Sequence, residues 1–279
     1  MRGKGEAYGA ITVINAIATG KGAAIGIKLR TEAHIEIVDE DVIEGEIRID
    51  GTEEVCDFDL VRAVKEVMFR KFGIEGGLRV FIRSEIPISR GLKSSSAAAN
   101  ALVSAVLDAI GEKLDPLEVI KLGVEAAKVA GVTITGAFDD ACASLLGGLC
   151  ITDNINTELI KREEVDRLPV VILVPRKRVS KGSLKGVNFK IVAPYVEEAF
   201  KLALAGKWRE AMVINGILYA ALLGYDTSPI FEALKAGAIA AAVSGTGPAV
   251  VAVTEDPEGV REVWEEREDA ERIIITETR

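Results

Sequence analysis

The sequence predicts an α+β fold in two units, and three observations predict it. Strand and helix patterns follow one another, but many strand pairs read as antiparallel, which favours α+β over a doubly wound parallel sheet. A polar stretch at about 153–168 breaks the apolar pattern near mid-chain and separates 1–155 from 156–279. The chain has 279 residues, 49% of them hydrophobic, and that length suits two closely joined units of roughly 100–150 residues each.

The elements follow in order. AITVINAIATG and GAAIGIKLRTEAHIEIV are rich in β-branched residues, with Gly20, Lys21 and Gly22 as the turn between them, and so read as strands. His34, the chain's single histidine, reads as a strand residue, since one imidazole cannot build a metal site. EGEIRI alternates and predicts a further strand. Residues 57–71 put Leu60, Val61, Val64, Val67 and Met68 on one helical face, with Gly73 just past the end. LRVFIRSEI reads as a strand. The Ala-, Leu- and Val-rich run AAANALVSAVLDAIG predicts a helix closed by Gly111. In the next helix Asp115 is the N-cap, Pro116 the first helical residue and Glu118 a partner for a capping box. A short helical stretch then leads through Gly147-Gly148 to a strand. LPVVILVP reads as a buried strand and 176–190 as a basic loop. Helical patterns cover about 191–205, 207–223 and 228–236. AIAAAVSGTGPAVVAV reads as strand, Gly-rich loop and strand, and a charged helix at 257–269 precedes IIITET.

Composition excludes several classes of function. The net charge is −9, so the chain has no bulk attraction for nucleic-acid phosphates, and aromatic residues, at 5%, are few for base stacking. Apolar runs fall short of the ~18–20 residues of a membrane span. The start, MRGKGEAYGA, has no signal-peptide hydrophobic region, so a cytoplasmic location is expected. Three cysteines, Cys56, Cys142 and Cys150, without a CxxC spacing, argue against a disulfide framework or zinc site. Glutamine is absent and asparagine occurs six times, a depletion of amides found in heat-stable proteins.

Three segments could carry chemistry. The first runs from Pro87 to Ala97, PISRGLKSSSA, straight into a helix N-terminus. Unpaired amides, the positive end of the helix dipole, a glycine for close approach and three consecutive hydroxyls suit a polyphosphate. A single serine would suffice as a cap. The second is the adjacent pair Asp139-Asp140 between apolar stretches, where a carboxylate could orient a hydroxyl, take its proton or help hold Mg²⁺; helix capping is the plain alternative. The third is Ser244-Gly245-Thr246-Gly247-Pro248 between two apolar strands. It suits contact with a phosphate or with the first loop, and a hairpin turn would look the same. No GxxxxGK[ST] and no GxGxxG occurs, so P-loop kinases and Rossmann dehydrogenases lose their main support.

In this order the three segments resemble the GHMP kinase superfamily of galactokinase, homoserine, mevalonate and phosphomevalonate kinases. Pro87, Gly91, Leu92, Ser94, Ser95, Ser96 and Ala97 match its phosphate loop, SGTGPAV its C-terminal glycine motif, and DDACASLLGG its acidic segment. The resemblance implies an N-terminal domain with a left-handed βαβ unit and a C-terminal ferredoxin-like domain. It also implies ATP held by Pro87, Ile88, Ser89, Arg90, Gly91, Leu92, Lys93, Ser94, Ser95, Ser96 and Ala97, together with Ser244, Gly245, Thr246 and Gly247. Ser95 is the implied hydroxyl ligand of Mg²⁺, with Glu125 the candidate second ligand. Asp139 fits the homoserine kinase version of the acidic segment, whereas spacing to Gly147-Gly148 favours Asp140. Within the superfamily, AYGAITVINAIATGKGAAIGIKL, SRGLKSSSA and ITGAFDDA are similar to the archaeal shikimate kinases. That likeness implies phosphoryl transfer from ATP to the 3-hydroxyl of shikimate, on the chorismate route to aromatic amino acids. A carboxylate substrate calls for Arg or Lys, which points to Arg176, Lys177, Arg178, Lys181 and Lys185; Lys21 is a further candidate. Many relatives carry Pro-Gly-Lys near the N-terminus where this chain has Ala7-Tyr8-Gly9-Ala10, so that lysine is missing and Lys21 is a candidate substitute. The competing readings are another small-molecule kinase of the superfamily (homoserine, mevalonate or pantoate) and a noncatalytic nucleotide-binding protein. The second would show an eroded loop or a lost acid, and both are intact.

Overall fold

The computed structural model describes residues 1–49, 52–53, 58–88, 90–133, 136–176, 184 and 186–279. The first unit is a seven-stranded sheet. Its centre is the long strand β2 (Lys21–Val38), which pairs antiparallel with β1 (Arg2–Ile14), with β5 (Gly77–Ser84) and with β6 (Leu149–Asp153). Outward from β5 lie β3 (Ile43–Ile49) and the short β4 (Thr52–Glu53); outward from β6 lies β7 (Glu158–Glu163). β3 and β5 are parallel, joined through helix α1 (Asp59–Phe72), which is the one parallel crossover the expected βαβ unit requires.

One face of this sheet is charged and wet, with Arg2–Glu36, Lys4–Glu32 and Arg30–Glu6 pairs on it. The other face carries α1, α2 (Ser94–Ile110), α3 (Pro116–Val129) and α4 (Phe138–Leu146). Alternation along β5, with Arg79, Phe81 and Arg83 outward and Val80 and Ile82 inward, sets which face is which. α2 lies on β1, where Gly3 and Gly5 leave room for its backbone. Asp115 caps α3 by accepting from Leu117 N at 2.8 Å, as its sequence signals require. Gly73 ends α1 in the left-handed region, φ 64.

The second unit is a four-stranded antiparallel sheet of β8 (Pro169–Pro175), β9 (Ala240–Val243), β10 (Val250–Val253) and β11 (Ala270–Glu277), in the order β11-β8-β10-β9. Helix α6 (Trp208–Leu222) lies between β8 and β9 in sequence, and α8 (Pro257–Glu265) between β10 and β11. That β-α-β-β-α-β sequence with that strand order is the ferredoxin-like topology expected. α5 (Ala193–Leu204) and α7 (Ser228–Lys235) complete the unit. One continuous core runs through both units, and a second fills the space between the sheet, α7 and α8 around Trp264.

Three details differ from the sequence reading. β1 begins at Arg2, earlier than its β-branched part. The polar stretch 153–168 contains strand β7, which pairs with β6, so the break expected after residue 155 falls inside a hairpin of the first sheet. The charged helix ends at Glu265, and 266–269 form the turn into β11. Cys142 and Cys150 are free and buried; Cys56 lies outside the described residues. No helix among the described residues is long and apolar enough to cross a membrane.

Candidate active site

A cleft opens where the start of α2, the start of α4, the end of β1 and the β9–β10 turn converge. Its shape begins with the loop before α2. Gly91 has φ 81, and a Cβ there would come within 2.0 Å of the Ser244 carbonyl oxygen, so only glycine lets the two loops meet. Lys93 also takes the left-handed region, φ 69, and serves as N-cap without a side-chain capping bond. Between them Leu92 is buried and pins the loop to the core. Ser94, Ser95 and Ser96 form the first turn of α2 and line the cleft. Among the described residues their hydroxyls have no partner within the chain. The amides of this turn are likewise free of helical partners, at the positive end of the helix. Hydroxyls that served only as a cap would be bonded to the turn instead.

Opposite the loop stands the first turn of α4. Asp139 and Asp140 are both buried and both line the cleft. Asp139 is held from two sides: Asn154 Nδ2 donates to its Oδ1 at 2.8 Å, and its own amide donates to Asn154 Oδ1 at 3.2 Å. Thr152 Oγ1 donates to the same Asn154 oxygen at 2.7 Å and so fixes the amide's orientation. Asp140 is held differently. Its Oδ2 is 3.0 Å from Lys93 Nζ, while its Oδ1 is buried with no hydrogen-bond partner. Burial, and then the neighbouring Asp139 charge, push the Asp140 carboxyl up from its ordinary 3.8 to about 7, against the pull of the Lys93 ammonium.

The third wall is the turn after β9. Ser244 is fully buried and does not line the cleft; its Oγ donates to the Gly91 carbonyl at 2.8 Å and accepts from Thr12 N at 3.3 Å. It therefore splices the two loops rather than meeting a ligand. Gly245 N donates to Thr12 Oγ1 at 2.8 Å, and Gly245 O accepts from Asn15 Nδ2 at 2.8 Å. Gly245, Thr246 and Gly247 line the cleft, and Tyr225 OH secures the turn by donating to Thr246 O at 2.8 Å. The end of β1 is locked in turn by Tyr219, whose hydroxyl donates to Asn15 O at 3.0 Å.

The structure thus brings together Ile88, Gly91, Lys93, Ser94, Ser95, Ser96, Asp139, Asp140, Gly245, Thr246 and Gly247 around one cleft. Other expected residues are placed elsewhere. Arg90 turns away and is buried against the second sheet, bonded to the Pro175 carbonyl and Glu271. Leu92 and Ala97 face the core, and Pro87 does not reach the lining. Glu125 is exposed on α3 and paired with Arg70 at 2.7 Å, so it does not reach an ion bound near Ser95. Lys21 is paired with Glu197 at 3.0 Å and lies over the Phe200 ring; it does not line the cleft and does not reach the acids as a substitute lysine. Arg176 is exposed, held through its amide by Asp269 O at 2.9 Å. Ser89, Arg178, Lys177, Lys181 and Lys185 lie outside the described residues. Leu184, inside that basic segment, does line the cleft.

Sequence reasoning missed Asn15, Asn154, Thr12 and Tyr219. A signal existed for the first two. In a chain without glutamine and with only six asparagines, an amide kept at a strand end is a candidate for a fixed buried role, and Asn15 and Asn154 are 6% and 2% exposed.

Residues 59–148 match the GHMP kinases N terminal domain and residues 196–271 the GHMP kinases C terminal domain. The chain is 56% identical to a shikimate kinase of Pyrococcus furiosus, over 100% of both chains. It is 51% identical to a shikimate kinase of Thermococcus kodakarensis, over 99% of this chain and 100% of that one. Its fold is similar to that of a homoserine kinase from Cytophaga hutchinsonii, TM-score 0.75 at 17% identity over 100% and 95% of the two chains. It is equally similar to the Methanococcus jannaschii mevalonate kinase, TM-score 0.74 at 17% identity over 100% and 98%. Since both halves match in order and a relative more than half identical spans the whole chain, this protein belongs to the GHMP kinase family.

Proposed function

We propose that this chain is a shikimate kinase, moving the γ-phosphoryl group of ATP to the 3-hydroxyl of shikimate and leaving ADP. The observation that carries the substrate is full-length identity of 56% to a protein named shikimate kinase, joined to a cleft in which the phosphate loop and both acids are intact. In this reading ATP lays its phosphates on the amides and hydroxyls of Ser94–Ser96, with the Gly245–Gly247 turn closing over them. The Asp140 Oδ1, buried and unpartnered, accepts the proton of the attacking hydroxyl. A carboxyl raised toward neutrality is matched to that task. Lys93 holds the other Asp140 oxygen and faces the transferring group, where positive charge counts most. Asp139, clamped by Asn154, aligns the acceptor from the adjacent position.

Mg²⁺ fits this donor set. The Ser95 hydroxyl and the Asp139 carboxylate are hard oxygen donors on one cleft and would hold the ion. When bound, the ion neutralises charge on the phosphates. The substrate carboxylate is assigned to the basic segment 176–185 on its charge; of that segment Leu184 lines the cleft. A cytoplasmic enzyme of aromatic biosynthesis is the matching cellular role.

The test is turnover. ADP release is measured with shikimate, homoserine, mevalonate and pantoate; the expected result is turnover with shikimate above all others. A preference for another acceptor overturns the substrate, and no turnover with any overturns the enzyme. Asp140→Asn and Asp139→Asn are each expected to lower kcat more than tenfold, about 1.4 kcal/mol of barrier. If neither does, the acidic role is wrong.

A further inference from the structure

Asn100 is one of six asparagines in a chain without glutamine, and it is fully buried in the second turn of α2. It stands one helical turn after Ser96, on the same side of α2 as that cleft serine. Its Nδ2 donates to the Ala141 carbonyl at 2.9 Å, and Ala141 directly follows Asp140. Among the described residues this is the one hydrogen bond between α2 and α4. The other tie between the two helix starts is the Lys93–Asp140 ion pair. The first turn of α4 needs such ties, because Ala137 at its N-cap makes no side-chain capping bond. The Asn100 Oδ1 is buried and has no hydrogen-bond partner among the described residues. Leucine, with the same branched outline, would fill the place without an unmet acceptor. Helix α3 makes room for the amide: a Cβ at Gly123 would stand 2.8 Å from Asn100 Oδ1, with its next neighbours at 3.5 Å and beyond. Gly123 lies inside α3, where alanine is ordinarily the better residue. The sequence thus gives up helix stability in α3 and an apolar core position in α2 to keep one amide at this junction.

We infer that Asn100 is a positioning residue whose amide sets the acids at the start of α4 at their distance from the phosphate-binding start of α2, and that Gly123 is glycine to leave that amide in place. The inference rests on the reading of these two helix starts as the acid and phosphate sides of a kinase. Phosphoryl transfer depends on alignment, and a misplacement of about 1 Å can cost about a hundredfold in rate. Of the two helices α4 is the one that yields: α2 has 17 residues and packs along β1, whereas α4 has nine. Loss of the amide therefore moves the acids and leaves the nucleotide turn in place, so kcat falls while nucleotide affinity is kept.

The experiment compares the full chain with Asn100→Ala, Gly123→Ala and the double variant. For each, kcat with shikimate, the affinity for a non-hydrolysable ATP analogue and a melting curve are measured. Asn100→Ala removes the bond, and Gly123→Ala pushes the same amide from the opposite side. The expected result is a kcat lower by about tenfold or more in Asn100→Ala and by about threefold or more in Gly123→Ala, with analogue affinity within about twofold of the parent in both. Gly123→Ala melts near the parent, because alanine favours the helix. The double variant is no slower than Asn100→Ala, since no amide is left to push. A merely structural asparagine would lower melting and leave kcat of the folded protein unchanged. A kcat within about twofold of the parent in folded Asn100→Ala overturns the positioning role; if that variant does not fold, the same result in Gly123→Ala does so. Losses that multiply in the double variant, or an equal loss of nucleotide affinity, overturn it as well. A parent that phosphorylates another acceptor in place of shikimate overturns the substrate alone, and the series is then read on that acceptor. No transfer to any acceptor overturns the functional reading, and the inference with it.

Discussion

Replacing Lys93 by Met removes the only charge that the described residues place against Asp140 to favour its ionised form, while keeping a stem of similar length. The ammonium is 3.0 Å from Asp140 Oδ2, and the two side chains are 12% and 10% exposed. At an effective dielectric constant near 20, charges that close attract by about 5.5 kcal/mol. Dividing by 1.36 kcal/mol per pH unit sets a ceiling of about four pH units on the displacement of the carboxyl. Opposite charges at such distances move a carboxyl by about one to three units in practice. The sign follows from the chemistry. Lys93 favours the ionised form, so its loss raises the Asp140 midpoint above about 7. Only the ionised carboxylate takes a proton, so activity falls as pH drops through the midpoint. The assay is kcat/KM for shikimate from pH 5.5 to 10. The expected profile of the parent has an acidic limb centred near 7. In Lys93→Met that limb moves up by about one to three units, which at pH 7 lowers kcat/KM about fivefold or more through ionisation alone. Activity returns in part toward high pH. A variant whose limb stays within about 0.3 unit of the parent's refutes the role given to this pair, whatever its absolute rate.

Two further substitutions bear on the architecture of the cleft. Gly91→Ala forces a Cβ to within 2.0 Å of the Ser244 oxygen at φ 81, and is expected to cost about 2 kcal/mol or more, read as a melting point lower by roughly 4 °C or more with weakened nucleotide binding. Asn154→Ala strips Asp139 of its clamp and leaves buried polar groups unpaired, for a loss of about 1–3 kcal/mol; kcat is expected to fall more than nucleotide affinity, in single-turnover and binding measurements side by side.

The parts of the site that were legible in sequence are those whose partners are close in the chain. Gly91-Leu-x-Ser-Ser is a local device: a reversal, an anchor and a helix start, all within a few residues. The Asp139-Asp140 pair betrayed itself by standing in an apolar run, since burial of charge without purpose is costly. What was not legible depends on contacts between distant segments. Arg90 and Glu271 are separated by 181 positions, and nothing local distinguishes an arginine that meets phosphate from one that turns to a second sheet. The missing N-terminal lysine invited a substitute in the nearby Gly-Lys-Gly turn, but Lys93, inside the loop itself, is the lysine that reaches the acids. Strand β7 was hidden for another reason: at the edge of the sheet its alternation is between exposed and half-buried positions, so ELIKRE lacks the apolar contrast that marks an inner strand.

The loop's division of labour follows from its two left-handed residues. Gly91 and Lys93 both have positive φ, and between them Leu92 enters the core. Reversing the chain on each side of a buried leucine sends the neighbouring side chains in opposite directions: Arg90 back into the second unit, Lys93 forward to Asp140. Glycine adopts that geometry freely, whereas lysine does so at a cost of about 1–2 kcal/mol. The strain is a reason to expect function at Lys93, because a glycine there would relieve it and would also remove the ammonium. Three serines then remain with hydroxyls and amides unclaimed by the fold. The two long cationic side chains of the loop are engaged within the protein, Arg90 with Glu271 and Lys93 with Asp140, which is why the proposed function gives the polyphosphate chiefly to main-chain amides and small hydroxyls. Those groups carry no side-chain entropy comparable to that of a long cation, and they are already aimed at the cleft by the start of α2.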